Sequence, residues 1–222
     1  EWLTAAQASD LVSAGQEYHL YTLTDSLGTA AGGELQPPGK TCTNPAIAFD
    51  DLPGGASEIL GIAGSWDAMP RVPSVQDTTQ DIYRDRVSSQ LSRHEIEAST
   101  PPLDQVIRVD LEGDGVQEVL LVSNRLRGSE TMAMAGDYAM VLLRKVIGDR
   151  VRQLALEAEY YAEECIGTCA PLRYRITHIL DLNGDGVQEV VVGFKYFEGR
   201  GKRVYAVDGW KLRVVMSWRC GV

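Results

Sequence analysis

Two short segments of the chain hold the residue types that a chemical role would need. The first reads Asp110-Leu-Glu-Gly-Asp-Gly-Val-Gln-Glu118 and the second Asp181-Leu-Asn-Gly-Asp-Gly-Val-Gln-Glu189. Each places oxygen-bearing side chains at loop positions 1, 3, 5 and 9, with glycine at position 6. Hard oxygen donors at that alternation suit calcium, because three side chains converge inside a tight turn and the carbonyl at position 7 adds a ligand. Glycine at 6 permits the sharp bend. The donors in the first loop are Asp110, Glu112, Asp114, the Val116 carbonyl and Glu118. In the second they are Asp181, Asn183, Asp185, the Val187 carbonyl and Glu189, with water completing each sphere. The spacing therefore predicts two Ca²⁺ ions that fix loops rather than activate water. An Asp-Gly hairpin turn would explain one such loop, but two near-identical loops with a donor at every ligand position favour the metal. Without metal, crowded carboxylates repel one another and strain the turns. Two ions would bring the formal net charge from -10 to -6.

The elements that must position these loops are strands. Position 12 is Leu121 in one loop and Val192 in the other, so the closing glutamate of an EF-hand is missing. The segments that follow, Val119–Val122 and Val190–Val192, are apolar and largely β-branched, as buried strands are. Around the first loop we expect strands at 105–109, 118–123, 138–146 and 151–157. Around the second we expect 173–180, 189–197, 203–207 and 211–217. Gly148-Asp149 and Asp208-Gly209 mark tight hairpin turns. The pattern is an internal repeat of two four-stranded antiparallel meanders, offset by 71 residues from Asp110 to Asp181.

The loops resemble the FG-GAP calcium repeat of integrin-type and bacterial surface proteins, in which a D-x-[DN]-x-DG-x-x-[DE] loop joins two antiparallel strands. The resemblance covers about twenty residues, twice. It implies structural calcium, with Glu118 and Glu189 as the closing carboxylates, and blade-like repeats. Two units fall short of a complete propeller. The stretch Gly136-Asp-Tyr-Ala-Met-Val-Leu-Leu-Arg144 is also similar to secreted bacterial proteins with the same paired loops, a likeness that implies no activity.

Upstream, Thr4 to Ala14 reads as a short helix capped by Thr4 and ended by Gly15, with Leu11 and Val12 on one side. Residues 17–23 alternate as a strand, residues 25–45 read as an extended loop rich in Gly, Pro, Thr and Asn, and 46–49 and 58–63 are short strands. Residues 76–93 form the clearest helix, with Tyr83, Val87 and Leu91 every four residues and Ile82 beside them. Pro101-Pro102 prevents its continuation. The fold class is α+β and mainly β, with N-terminal helices packed on the meanders. A single compact domain of residues 1–222 is expected, with an N-terminal α/β portion at 1–100 and calcium-loop meanders at 105–159 and 173–218.

Composition bounds the rest. The 222 residues are 44% hydrophobic and 23% charged, as in ordinary globular proteins. With 31 acidic against 21 basic side chains and no basic run standing out, nucleic acid is excluded as a general partner. No apolar run is long enough for a transmembrane segment. The chain starts at Glu1-Trp2-Leu3 without methionine, as after removal of a leader or a trim. Cys42, Cys165, Cys169 and Cys220 favour two disulfides. Pairing Cys165 with Cys169 and Cys42 with Cys220 is one of three connectivities. Disulfides place the chain in an extracellular, periplasmic or cell-surface setting.

No residues assemble into a recognisable catalytic motif. His94-Glu95 opens like a zinc-protease signature, but Ala98 stands where the second ligand belongs. His19 and His178 lie in expected strands. Glu157, Glu159, Glu163 and Glu164 beside Tyr160-Tyr161 read as a solvated connection, or else as a recognition surface. Trp66, Trp210 and Trp218 fit core packing first and a sugar or protein contact second. The expected function is an exported calcium-binding, non-catalytic structural or protein-interaction module whose partner is another protein or a surface polymer. The alternatives are a secreted hydrolase with a motif-less active site and a carbohydrate-binding module.

Overall fold

The apolar runs that follow the two acidic loops are strands at the centre of the molecule. The computed structural model of the chain describes all residues except 1, 4, 43, 50, 51, 56, 57, 166, 168 and 222. In chain order the elements are α1 (Ala5–Ser9), β1 (Glu17–Tyr21), β2 (Ser26–Gln36), β3 (Ala46–Phe49), β4 (Leu60–Ile62), β5 (Ser74–Val75) and α2 (Asp81–Ser92). There follow β6 (Gln105–Val109), β7 (Glu118–Arg125), β8 (Asp137–Ile147) and β9 (Arg150–Tyr161). The last four are β10 (Arg173–Leu180), β11 (Glu189–Tyr196), β12 (Gly199–Asp208) and β13 (Lys211–Gly221). The protein is mostly β and its sheets are antiparallel. They run β3-β2-β1-β4, β5-β6-β7-β8-β9 and β10-β11-β12-β13.

Alternation along the strands explains how these sheets stack. On β7, Leu120 and Val122 point to a core shared with Ile176, Val190, Val192 and Phe194 of the last sheet. Leu121, between them, points the other way, to Tyr83, Val87 and Leu91 of α2. The central strands β7 and β8 are thus buried on both faces, which is why they read as long apolar runs. A smaller cluster of Tyr21, Ile62, Ala68, Met69 and Leu180 joins the first sheet to the last.

The N-terminal portion departs most from the sequence reading. The expected helix over residues 4–14 is the five-residue α1; Leu11 is 65% exposed, and the Thr4 cap lies outside the described residues. The expected loop over 25–45 contains the eleven-residue β2. Its Ser, Ala and Gly residues have poor strand propensity, but β1 and β3 supply hydrogen-bonding edges on both sides. Gly32 lies against the Tyr18 ring, where an added Cβ would come within 2.7 Å. Of the expected N-terminal helices, α2 packs on the five-stranded sheet, and the rest of this portion contributes the short α1, a four-stranded sheet and β5 as an extra edge strand on the first meander. Ile82 faces solvent, because only Tyr83, Val87 and Leu91 share the buried side.

Two disulfides join Cys42 to Cys220 and Cys165 to Cys169. No helix among the described residues is long and apolar enough to cross a membrane.

Candidate metal centres

Both acidic loops are hairpin connections, β6 to β7 and β10 to β11, and each is shaped by its first aspartate. Asp110 Oδ1 accepts the amides of Gly113 (2.7 Å) and Asp114 (3.1 Å), and Oδ2 accepts that of Gly115 (2.9 Å). Asp181 does the same for Gly184 (2.7 Å), Asp185 (3.2 Å) and Gly186 (2.8 Å). Gly115 and Gly186 have φ of 84° and 85°, a left-handed turn that glycine adopts without steric cost. Burial pushes the Asp110 carboxyl up, but its three amides and the Arg71 charge together hold it below its ordinary value. The closing glutamates are buried at the first position of β7 and β11. Glu118 Oε2 accepts the Leu111 amide and Glu189 Oε2 the Leu182 amide, both at 2.9 Å.

The loops differ in what neutralises those glutamates. In the first, the Lys145 ammonium, on β8 and only 4% exposed, bonds Glu112 Oε2 and lies 3.4 Å from Glu118 Oε1. A cation thus stands between the residues at loop positions 3 and 9. Glu112 Oε1 accepts the Gly209 amide at 3.0 Å and is held from the β12–β13 turn as well. Burial raises Glu118 above its ordinary value, against the pull of the Leu111 amide and Lys145.

In the second loop no such cation is present among the described residues. Val119 pairs with Arg144 and Val190 with Tyr205, so the residue that corresponds to Lys145 is Ala206. Burial pushes Glu189 up to about 7, and the nearby Asp185 and Asp181 charges add to that rise. The Asn183 amide nitrogen stands between Asp185 Oδ2 (3.0 Å) and Glu189 Oε1 (3.3 Å). Rotation of that amide brings an oxygen donor to the same place. Among the described residues, no group of three or more His, Cys, Asp and Glu side chains is arranged to hold an ion. Asp114 and Asp185 each accept the amide two residues on, from Val116 and Val187, both at 2.8 Å.

Sequence reading missed the segment that clasps both loops. Arg71 donates to the carbonyls of Asp110, Leu111 (2.9 Å) and Gly186 (2.7 Å). Gln188 ties its own loop to the first through its amide and Leu111 O (2.9 Å), and its side chain donates to Arg71 O (3.0 Å). Trp66 Nε1 donates to Asp181 O at 2.8 Å, so this tryptophan serves the second loop. Arg71 sits in an irregular stretch with no motif, and nothing nearby in sequence marks it. Lys145 did carry a signal, as a charge that with Arg144 interrupts the apolar run of β8.

The other singled-out groups are not gathered into one place. His19 is on the exposed side of β1, His94 stacks on Tyr160 at 3.7 Å between ring centroids, and His178 is fully buried. The acidic stretch is not a solvated connection throughout. Glu157 is buried on β9, where Arg203 Nη1 lies 2.6 and 2.7 Å from its two oxygens and the Tyr205 hydroxyl donates at 2.6 Å. Glu159 accepts the Tyr161 hydroxyl and the Leu172 amide, both at 2.9 Å, while Glu163 and Glu164 are exposed.

Comparison of the chain with known proteins finds no matching family, no matching curated protein and no matching solved structure.

Proposed function

We propose that this protein is an exported, non-catalytic structural or interaction module whose second acidic loop is stabilised by one calcium ion. The observation that carries the reading is Glu189, a buried carboxylate beside Asp181 and Asp185 with no partner cation among the described residues. Asp181, Asn183, Asp185, the Val187 carbonyl and Glu189 would hold the ion, a donor set of hard oxygens suited to calcium. The ion supplies the charge that Lys145 supplies in the first loop. The resemblance of both loops to FG-GAP repeats and the paired meanders support blade-like units of common design. The two disulfides support an oxidising compartment.

The sequence alone leads to two ions. Lys145 favours one, because two of the expected donors of the first loop, Glu112 and Glu118, are already served by its ammonium. Calcium titration with a melting curve tests this. One equivalent of calcium is expected to bind and to raise the melting temperature over that in chelator. At a hundredfold excess over the dissociation constant the gain is about 2.7 kcal/mol. Asp185→Ala is expected to abolish it and Asp114→Ala to leave it. An identical melting temperature in calcium and in chelator overturns the reading.

A further inference from the structure

The outward face of the last sheet carries a row of cations. In the strand register Arg173 pairs with Lys195, and Lys195 with Arg200. One step along, Arg175 pairs with Gly193, Gly193 with Lys202, and Lys202 with Trp218. The intervening Tyr174 and Phe194 point into the core, so alternation puts the five cations together on the opposite face. Directly opposed like charges destabilise an antiparallel pair. Yet Arg173, Lys195 and Arg200 stand in one exposed row, and none forms an ion pair among the described residues. Lys202 alone is paired, with Glu58 at 2.7 Å. In a chain of net charge -10 this is a local inversion of the field.

The row lies in a groove of about 750 Å³ that Trp218, Asn124 and Thr177 also line. Its two acids, Glu58 and Asp104, are already engaged, the second by the backbone and side-chain nitrogens of Asn124 at 2.9 and 2.7 Å. Gly193 leaves the floor low between Arg175 and Lys202.

We propose that this groove binds an acidic polysaccharide, a chain with a carboxylate on each sugar. Backbones of neighbouring strands are about 4.8 Å apart, so Arg173, Lys195 and Arg200 form one continuous row that can engage successive carboxylates of a single chain. Guanidinium forks match carboxylates in a bidentate fashion, and the half-buried Trp218 offers an apolar surface to a sugar ring. The proposal rests on the preceding reading only in placing the protein outside the cell; the groove has no part in the calcium loops.

The test is calorimetric titration with short oligogalacturonates and oligomannuronates at low salt in EDTA, which keeps it separate from calcium. Binding of either acidic oligomer is expected, at least about tenfold tighter than to the same oligomer with its carboxylates methyl-esterified. Combined Arg173→Gln, Lys195→Gln and Arg200→Gln is expected to weaken it by a similar factor. The melting temperature of that variant is expected to equal or exceed the wild type, because opposed like charges are gone. Trp218→Ala is expected to weaken binding without changing its salt dependence. The single glutamine variants provide the same comparison if the triple variant melts lower. Absence of binding to both oligomers, undiminished binding by the variants, or tighter binding of polyglutamate or single-stranded DNA overturns the proposal.

Discussion

The Lys145 ammonium lies 3.4 Å from Oε1 of Glu118, and both side chains are buried. Breaking a buried pair from one side leaves an uncompensated charge, which costs about 3–5 kcal/mol. Lys145→Met is therefore expected to lower stability by that amount in urea denaturation with chelator present. Adding Glu118→Gln to it should regain part of the loss. Calcium is expected to restore the single variant and to raise its stoichiometry from one to two. A Lys145→Met protein as stable as wild type would show the pair to be idle.

His178 gives an acid-side dependence. Burial pushes it down to about 4, the Lys202 charge acting in the same direction. The Glu58 charge and the nearby Tyr21 backbone oppose the shift only in part, and neither ring nitrogen makes a hydrogen bond of normal geometry among the described residues. The folded state therefore keeps the ring neutral where the unfolded chain takes up a proton. Its contribution is fully present above the unfolded value of 6.5 and is lost as pH falls towards about 4. The loss amounts to about 3 kcal/mol over that window. His178→Leu is expected to flatten this part of the profile, read as the difference in urea midpoint from wild type between about pH 7 and about pH 4.5. Parallel profiles would refute it.

The disulfides should contribute unequally. Cys42 and Cys220 are 178 residues apart in sequence, and Cys165 and Cys169 only 4. Loop-closure entropy assigns about 5 kcal/mol to the first and about 2 kcal/mol to the second. Paired serine replacements are expected to follow that order in guanidinium denaturation. The reverse order would mean that strain or residual structure, rather than chain entropy, governs them.

Arg71 holds carbonyls of both acidic loops. Arg71→Ala removes a charged donor that serves three acceptors, and a loss of about 2–4 kcal/mol is expected. Amide exchange should accelerate at Gly113 to Gly115 and at Gly184 to Gly186 together. Arg71→Lys should rescue little, because an ammonium lacks the planar fork. Faster exchange in one loop only would show that Arg71 does not couple them.

Local pattern was enough to place the strands after Gln105: β7 and β8, buried on both faces, leave long apolar runs, the outer strands alternate, and the turns carry Gly and Asp. The glycine and aspartate spacing likewise fixed the shape of both loops, since an Asp side chain capping its own turn is a short-range event. Strand β2 was not legible, because Gly and Ala become a strand only when β1 and β3 offer edges. The inequality of the two loops, Lys145 beside one and Ala206 beside the other, depends on β8 and β12 crossing those loops from elsewhere in the chain. The same holds for Arg71, which reaches the second loop across 115 residues of sequence. The basic row was invisible for a related reason. Its members are spread from Arg173 to Lys202 in an acidic chain, and only the register of three antiparallel strands sets them side by side.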